Sequence, residues 1–179
     1  ATARPPALAQ YFSVHPTHPQ ARLIRRAAEI VRAGGLAAYP TDSSYALGCH
    51  LGDAHAQQRL RRVRGMDEAH HLTLMCRDLS EIAAYAIVDN AQFRLLRQAT
   101  PGSYTFILRA TKEVPRRLQH PKRRTIGVRV PAHAVTQALL AELGEPLLSA
   151  TLMLPGAEAP LADAGEIRAA LERELDVVL

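Results

Sequence analysis

Tyr39-Pro40-Thr41-Asp42-Ser43-Ser44-Tyr45-Ala46-Leu47-Gly48-Cys49 is the stretch on which the fold turns. Pro40 fixes its own φ and biases Tyr39 toward extended backbone, so Leu36-Ala37-Ala38-Tyr39 reads as a short buried strand that stops there. Thr41-Asp42-Ser43-Ser44 is a polar turn, built from residues whose side chains bond their own backbone. The apolar run then resumes from Tyr45 to Cys49. In open α/β sheets, ligands collect outside strand ends. On these residues alone two readings stand: a strand–turn–strand unit without a ligand, or a ligand-binding turn that uses the hydroxyls of Thr41 and Ser43.

Outward from this unit, helices and strands alternate. Residues 21–32 put Leu23, Ile24, Ala27, Ala28 and Val31 on one helical face, and Gly34-Gly35 stops the helix. Residues 1–20, punctuated by His15-Pro16 and His18-Pro19, read as an irregular N-terminal arm. Downstream, Asp53 caps a helix over 54–63 whose end carries Arg59, Arg61, Arg62 and Arg64. Strands are predicted over 72–76, 104–109, 125–130 and 147–153. Helices are predicted over 79–86, 90–98, 135–143 and 164–174. A basic connector spans 116–124. No composition break divides residues 21–179, so one layered α/β domain is expected.

The chain of 179 residues is 47% hydrophobic and 22% charged, within the globular range. No apolar run reaches the roughly 18 residues of a membrane span, and residues 1–10 do not read as a signal peptide. Cys49 and Cys76 make no disulfide framework, which suits a reducing cytoplasm. A net charge of +5 favours anionic partners. With no tryptophan and few aromatics, a single-strand stacking platform is disfavoured. Walker, Rossmann and GxSxG signatures are absent. The histidines, including adjacent His70-His71, read as scattered surface residues rather than metal ligands.

Four blocks then point one way. The segment at 39–49 resembles the PTxTxYGLGC-type segment of the YrdC/YciO family. Thr100-Pro101-Gly102-Ser103-Tyr104-Thr105 is similar to the family's TPGP-x-T segment. Arg124-Thr125-Ile126-Gly127-Val128-Arg129-Val130-Pro131 is similar to its TVAVRVP strand. Gly144-Glu145-Pro146-Leu147 aligns with the segment before its SxN motif. The wording at 73–79, 112–118 and 149–156 is closest to the YciO branch.

The resemblance implies a three-layer fold: a twisted mixed β-sheet flanked by helices around a basic concave cleft. It implies an ATP-dependent reaction, with Mg²⁺, in which threonine and bicarbonate form threonylcarbamoyl-AMP for tRNA modification. It also implies an alternative, a non-catalytic module for tRNA, double-stranded RNA or the ribosome. Residues are carried over position by position. Arg62, Arg64, Thr105, Thr151 and Arg129 are expected on the nucleotide, and Thr41 and Ser149 on the amino-acid substrate. Arg59, Arg61, Arg116, Arg117, Lys122, Arg123 and Arg124 are expected on RNA phosphates. No general base is expected.

Departures from the family pattern are specific. Arg62 replaces the lysine of KxR, exchanging a compact ammonium for a planar fork. Thr151 keeps the hydroxyl of SxN, but Met153 replaces its asparagine and reads as a core residue. Cys76 stands where the family often has histidine, and reads as a buried structural cysteine. The family's C-terminal strand segment with its STV-type motif is not found before Leu179.

Overall fold

The computed structural model describes residues 7–67 and 70–179; the first six residues of the expected arm lie outside them. Among the described residues nine strands form one mixed sheet. They are β1 (Gln10–Tyr11), β2 (Ala37–Pro40), β3 (Tyr45–His50), β4 (Thr73–Met75), β5 (Ala86–Ile87), β6 (Phe106–Ala110), β7 (Thr125–Arg129), β8 (Leu147–Thr151) and β9 (Val177–Val178). Their order across the sheet is β1-β9-β2-β3-β8-β4-β7-β6-β5. The pairs β1/β9, β9/β2 and β4/β7 are parallel and the others antiparallel.

Six helices pack on this sheet: α1 (Ala21–Arg32), α2 (Ala54–Arg64), α3 (Leu79–Tyr85), α4 (Asn90–Ala99), α5 (Ala134–Leu143) and α6 (Ala164–Leu171). Local chemistry sets their starts. Asp53, Asp78, Asp89 and Asp163 each accept a backbone N–H in the first turn of the following helix. Among the described residues, no helix is long and apolar enough to cross a membrane.

Strand alternation sorts the side chains onto two faces. One face carries Ala38, Leu47, Leu74, Leu108, Val128 and Leu148, and is covered by residues of α2, α3, α4 and α6 in the larger core. The other carries Ala37, Tyr39, Ala46, Met75 and Leu147, packed on α1 and α5. Burying each leucine-sized side chain contributes roughly 1.5–3 kcal/mol before entropy is counted. The second face is apolar only where α1 and α5 reach. Further along it the residues become small or polar: Gly48, Ser149, Thr73, Gly127 and Ile107 lie in one register row across five strands. Ile107 is 65% exposed, so that half of the face is open. The concavity follows from two helices covering half a sheet.

The helices at 21–32, 54–63, 79–86, 90–98 and 135–143 fall where the sequence puts them, within two residues at each end. Three strands were not read from the sequence. β1 lies inside the stretch expected to be irregular and pairs with β9, while β5 is the opposite edge. Each is two residues long, too short to show alternation.

Candidate functional site: a hydroxyl-lined cleft

The open half-face becomes a cleft because the turn at residues 41–44 leans over it. Thr41 organises that turn. Its Oγ1 donates to Ser44 O at 2.5 Å and accepts from the N–H groups of Ser43 and Ser44, both at 3.2 Å. Asp42 then reaches Arg129 at the end of β7 in a short ion pair. The same Nη2 donates to Ser43 Oγ at 3.2 Å, and Nε donates to Gly102 O at 3.2 Å. Ser103 Oγ donates to the other Asp42 oxygen at 3.4 Å. One guanidinium therefore fastens the 41–44 turn to the loop that follows the Thr100-Pro101 cis bond. Arg129 is buried, at 9% exposure. Its charge is spent on Asp42 and not held ready for phosphate.

Thr41, Ser44, Tyr45, Thr73, Met75, Thr105, Arg129, Ser149 and Thr151 line the cleft. Five of the seven residues expected at the nucleotide and the substrate thus come together: Thr41, Thr105, Arg129, Ser149 and Thr151. Their hydroxyls are not equivalent. Ser149 is buried, donates to Leu47 O at 2.8 Å and accepts a short bond from the Tyr39 hydroxyl. Burial raises the Tyr39 pKa, so that hydroxyl stays protonated. Thr41 and Ser149 are saturated by the fold. Thr73, Thr105 and Thr151 make no side-chain hydrogen bond among the described residues. The deep part of the cleft holds about 50 Å³, room for a few waters or one small polar group and not for a nucleotide. Anything larger must lie on the open floor beyond it. That floor is flat because Gly127 has no side chain: a Cβ there would stand 3.1 Å from Thr73 Oγ1 and 3.2 Å from Thr105 Cγ2.

The remaining predicted residues go elsewhere. Arg64, at the end of α2, donates through Nη1 to Met153 O at 2.7 Å, just past β8. Its Nε is buried with no partner among the described residues. Burial lowers its pKa, though a guanidinium remains charged at any ordinary pH. Arg62 is exposed, beside Arg59, Arg173, Glu174 and Asp176, and is not among the residues lining the cleft. Arg59 is paired with Asp176 at 2.9 Å and donates to Glu174 O at 3.2 Å. Met153 is half-buried and outside both cores; its neighbour Leu152 is the core residue, because strand parity turns 152 inward. Cys76 is fully buried, and burial raises its thiol pKa.

Arg61, Arg116 and Arg117 meet His70, His71 and His120 around a second groove of about 570 Å³. Lys122, Arg123 and Arg124 are exposed on the turn that follows. Three of the eight histidines, read from sequence as scattered, are gathered here: the His71 and His120 rings stand 5.1 Å apart. Chain distance hid this, since 49 residues separate the two positions in the sequence.

Two residues that matter to the cleft, Thr73 in its lining and Asp42 in the latch beside it, were not among the site residues named from sequence. Thr73 was legible, as a polar residue between Leu72 and Leu74 in a buried strand. Asp42 had a weaker signal, an acid between two hydroxyl residues with its arginine 87 positions away.

Residues 29–179 match the Sua5/YciO/YrdC family, whose description is telomere recombination. The chain is 55% identical over 172 residues to the uncharacterized protein YciO of Escherichia coli K12, covering 96% of this chain and 84% of that one. It is 34% identical over 157 residues to a threonylcarbamoyl-AMP synthase of Halorhodospira halophila, covering 87% and 81%. The crystal structure of E. coli YciO superposes with a TM-score of 0.92 over 96% of this chain and 83% of that one. The P. abyssi Sua5 structure complexed with L-threonine gives 0.82 at 22% identity, covering 96% of this chain and 49% of that one, which is a likeness of fold. The family match over residues 29–179 and the 55% identity to YciO agree with the likeness of fold, and the chain belongs to the Sua5/YciO/YrdC family.

Proposed function

We propose that the cleft seats one polar end of threonine in its deep part and holds the rest of the threonine and ATP along its open floor, and joins them with bicarbonate as threonylcarbamoyl-AMP. The observation that carries this reading is the bare half-face, with Thr73, Thr105 and Thr151 free to hydrogen-bond over a floor kept flat by Gly127. The name of the Halorhodospira relative, at 34% identity, supports the reaction class.

In this reading the threonine amine attacks the bicarbonate carbon, and water leaves to give a carbamate. A carbamate oxygen then attacks the α-phosphorus of ATP and expels pyrophosphate. Rate comes from holding three reactants together and from neutralising phosphate charge. The free hydroxyls orient; Arg64, held on Met153 O, is the cation placed just past the end of β8. Asp42 is committed to Arg129, so a magnesium ion would enter on phosphate oxygens rather than on a protein carboxylate. With Arg62 turned away and Arg129 already paired, fewer cations serve the phosphates than the family signature supplies. Slow turnover is therefore expected. The test is pyrophosphate release from ATP, bicarbonate and Mg²⁺ with and without threonine; no threonine-dependent release at high enzyme concentration removes the synthase reading.

A second reading, RNA binding in the cytoplasm, is favoured by a separate observation. Among the described residues Arg61, Arg116 and Arg117 share one groove and none has a carboxylate partner. Its test is the affinity for duplex RNA against salt, where a slope near zero contradicts phosphate contacts.

A further inference from the structure

We propose that the groove between α2 and the 116–121 connector is a phosphodiester-backbone site separate from the cleft, in which the Nε2–H of His120 donates to a phosphate oxygen between fixed guanidinium groups. The proposal rests on the RNA reading above and names the groups that would make the contact.

His120 is held in one tautomer by its own turn. Its Nδ1 lies 3.2 Å from the backbone N–H of Lys122 and 3.0 Å from that of Arg123. Both are donors, so Nδ1 accepts and the ring proton sits on Nε2. The backbone of His120 is fixed as well, donating to Thr125 O at 2.9 Å and accepting from Arg124 N at 2.8 Å. Nε2 has no partner among the described residues, and the ring faces His71 in the groove. Desolvation first, then the neighbouring His71, Arg123 and Lys122, lowers the His120 pKa. The ring therefore enters the site as a neutral donor.

Two of the surrounding cations are held in place by neutral acceptors. Arg61 Nη1 donates to the carbonyls of Asp67 and His70 at 2.8 and 2.7 Å. Arg117 Nε donates to Gln57 Oε1 at 3.2 Å, and buried Gln57 is itself tied to Leu51 O at 2.9 Å. The carboxylate seen at this end is that of Asp67, which engages His70 at 3.0 Å. Guanidinium groups held in place, with no carboxylate ion-paired to them among the described residues and a neutral N–H between them, match an anion with several oxygens. The volume and the exposed Lys122, Arg123 and Arg124 beside it extend the track past one phosphate, as a nucleic-acid backbone requires. Among its described lining residues the groove has no Tyr, Phe or Trp to serve as a stacking platform, so the shape and backbone of duplex RNA fit it better than splayed bases do.

The test measures affinity for a synthetic RNA duplex against salt for the full chain, H120N and R116Q. Asparagine keeps an acceptor where Nδ1 stands, preserving the turn, and puts no donor where Nε2 stands. H120N is expected to lose about three- to tenfold in affinity, the value of one hydrogen bond, with the salt slope unchanged. R116Q is expected to reduce that slope by about 1. If H120N binds as the native chain does, or loses affinity through the slope, the donor role is overturned. If RNA binds but both variants match the native chain, the groove assignment fails while RNA binding stands. If no RNA binds at low salt, the RNA reading itself fails. Tripolyphosphate competing as tightly as the duplex would overturn the backbone assignment.

Discussion

The cleft and the groove use arginine in opposite ways. In the cleft, Arg129 is ion-paired with Asp42 and bonded to Ser43 and Gly102, so its charge is spent on shaping the wall. In the groove, Arg61 and Arg117 are held by carbonyl and amide oxygens, and among the described residues neither is ion-paired with a carboxylate. A neutral, hydroxyl-rich hollow can position a small polar substrate. A cationic groove on fixed supports can bind a polyanion. Net charge of +5 does not reveal this division, because it sums paired and unpaired arginines alike.

The largest effect should come from breaking the cleft's latch. Arg129→Ala removes the guanidinium that ties Asp42, Ser43 and Gly102 together, and should cost about 1.5–3 kcal/mol in denaturant unfolding, together with threonine-dependent activity. Arg116→Ala in the groove should leave the unfolding midpoint almost unmoved. Equal losses at both sites would erase the distinction.

Alkaline pH sharpens the contrast next. Burial pushes the Cys49 thiol from 9.0 up to about 12 and raises the Tyr39 phenol above 10.0. The folded state therefore binds more protons than the unfolded state above these ordinary values. Stability is full below pH 9 and falls as pH rises toward 12, by up to about 1.4 kcal/mol per pH unit per group. Unfolding free energy measured from pH 8 to 10.5 checks the fall; a flat profile contradicts it.

Filling the floor should act on one site alone. Gly127→Val crowds Thr73 and Thr105 and should weaken ATP and threonine binding about tenfold or more, close to 1.4 kcal/mol. Calorimetry should show RNA affinity within about twofold of the native chain. Thiol modification is the smallest expected effect: Cys49 and Cys76, both buried, should resist a thiol reagent at pH 8 until the chain unfolds.

Much of this was legible in residue order. Amphipathic spacing gave α1 and α5, and aspartate caps gave α2 and α6, because those signals are local. The polar turn after Pro40 located the cleft. Its hydroxyl roles were not legible. Thr41 looked like a substrate ligand, yet its oxygen closes its own turn, and Ser149 is claimed by Leu47 O and Tyr39. Thr73 carried no motif and was passed over. Arg62 and Arg64 sit two residues apart on a helix, about 200° around its axis, so they could not both face one ligand. His71 and His120 meet only because β4 and β7 are parallel neighbours, a long-range pairing that local patterns do not encode.

Competition between ligands tests the two-site account most directly. Duplex RNA affinity should be measured with and without saturating ATP, Mg²⁺ and threonine. Two separate sites predict an RNA dissociation constant that shifts less than about twofold. Displacement of RNA by ATP, at ATP's own binding constant, would show that both occupy one cavity and would contradict the account.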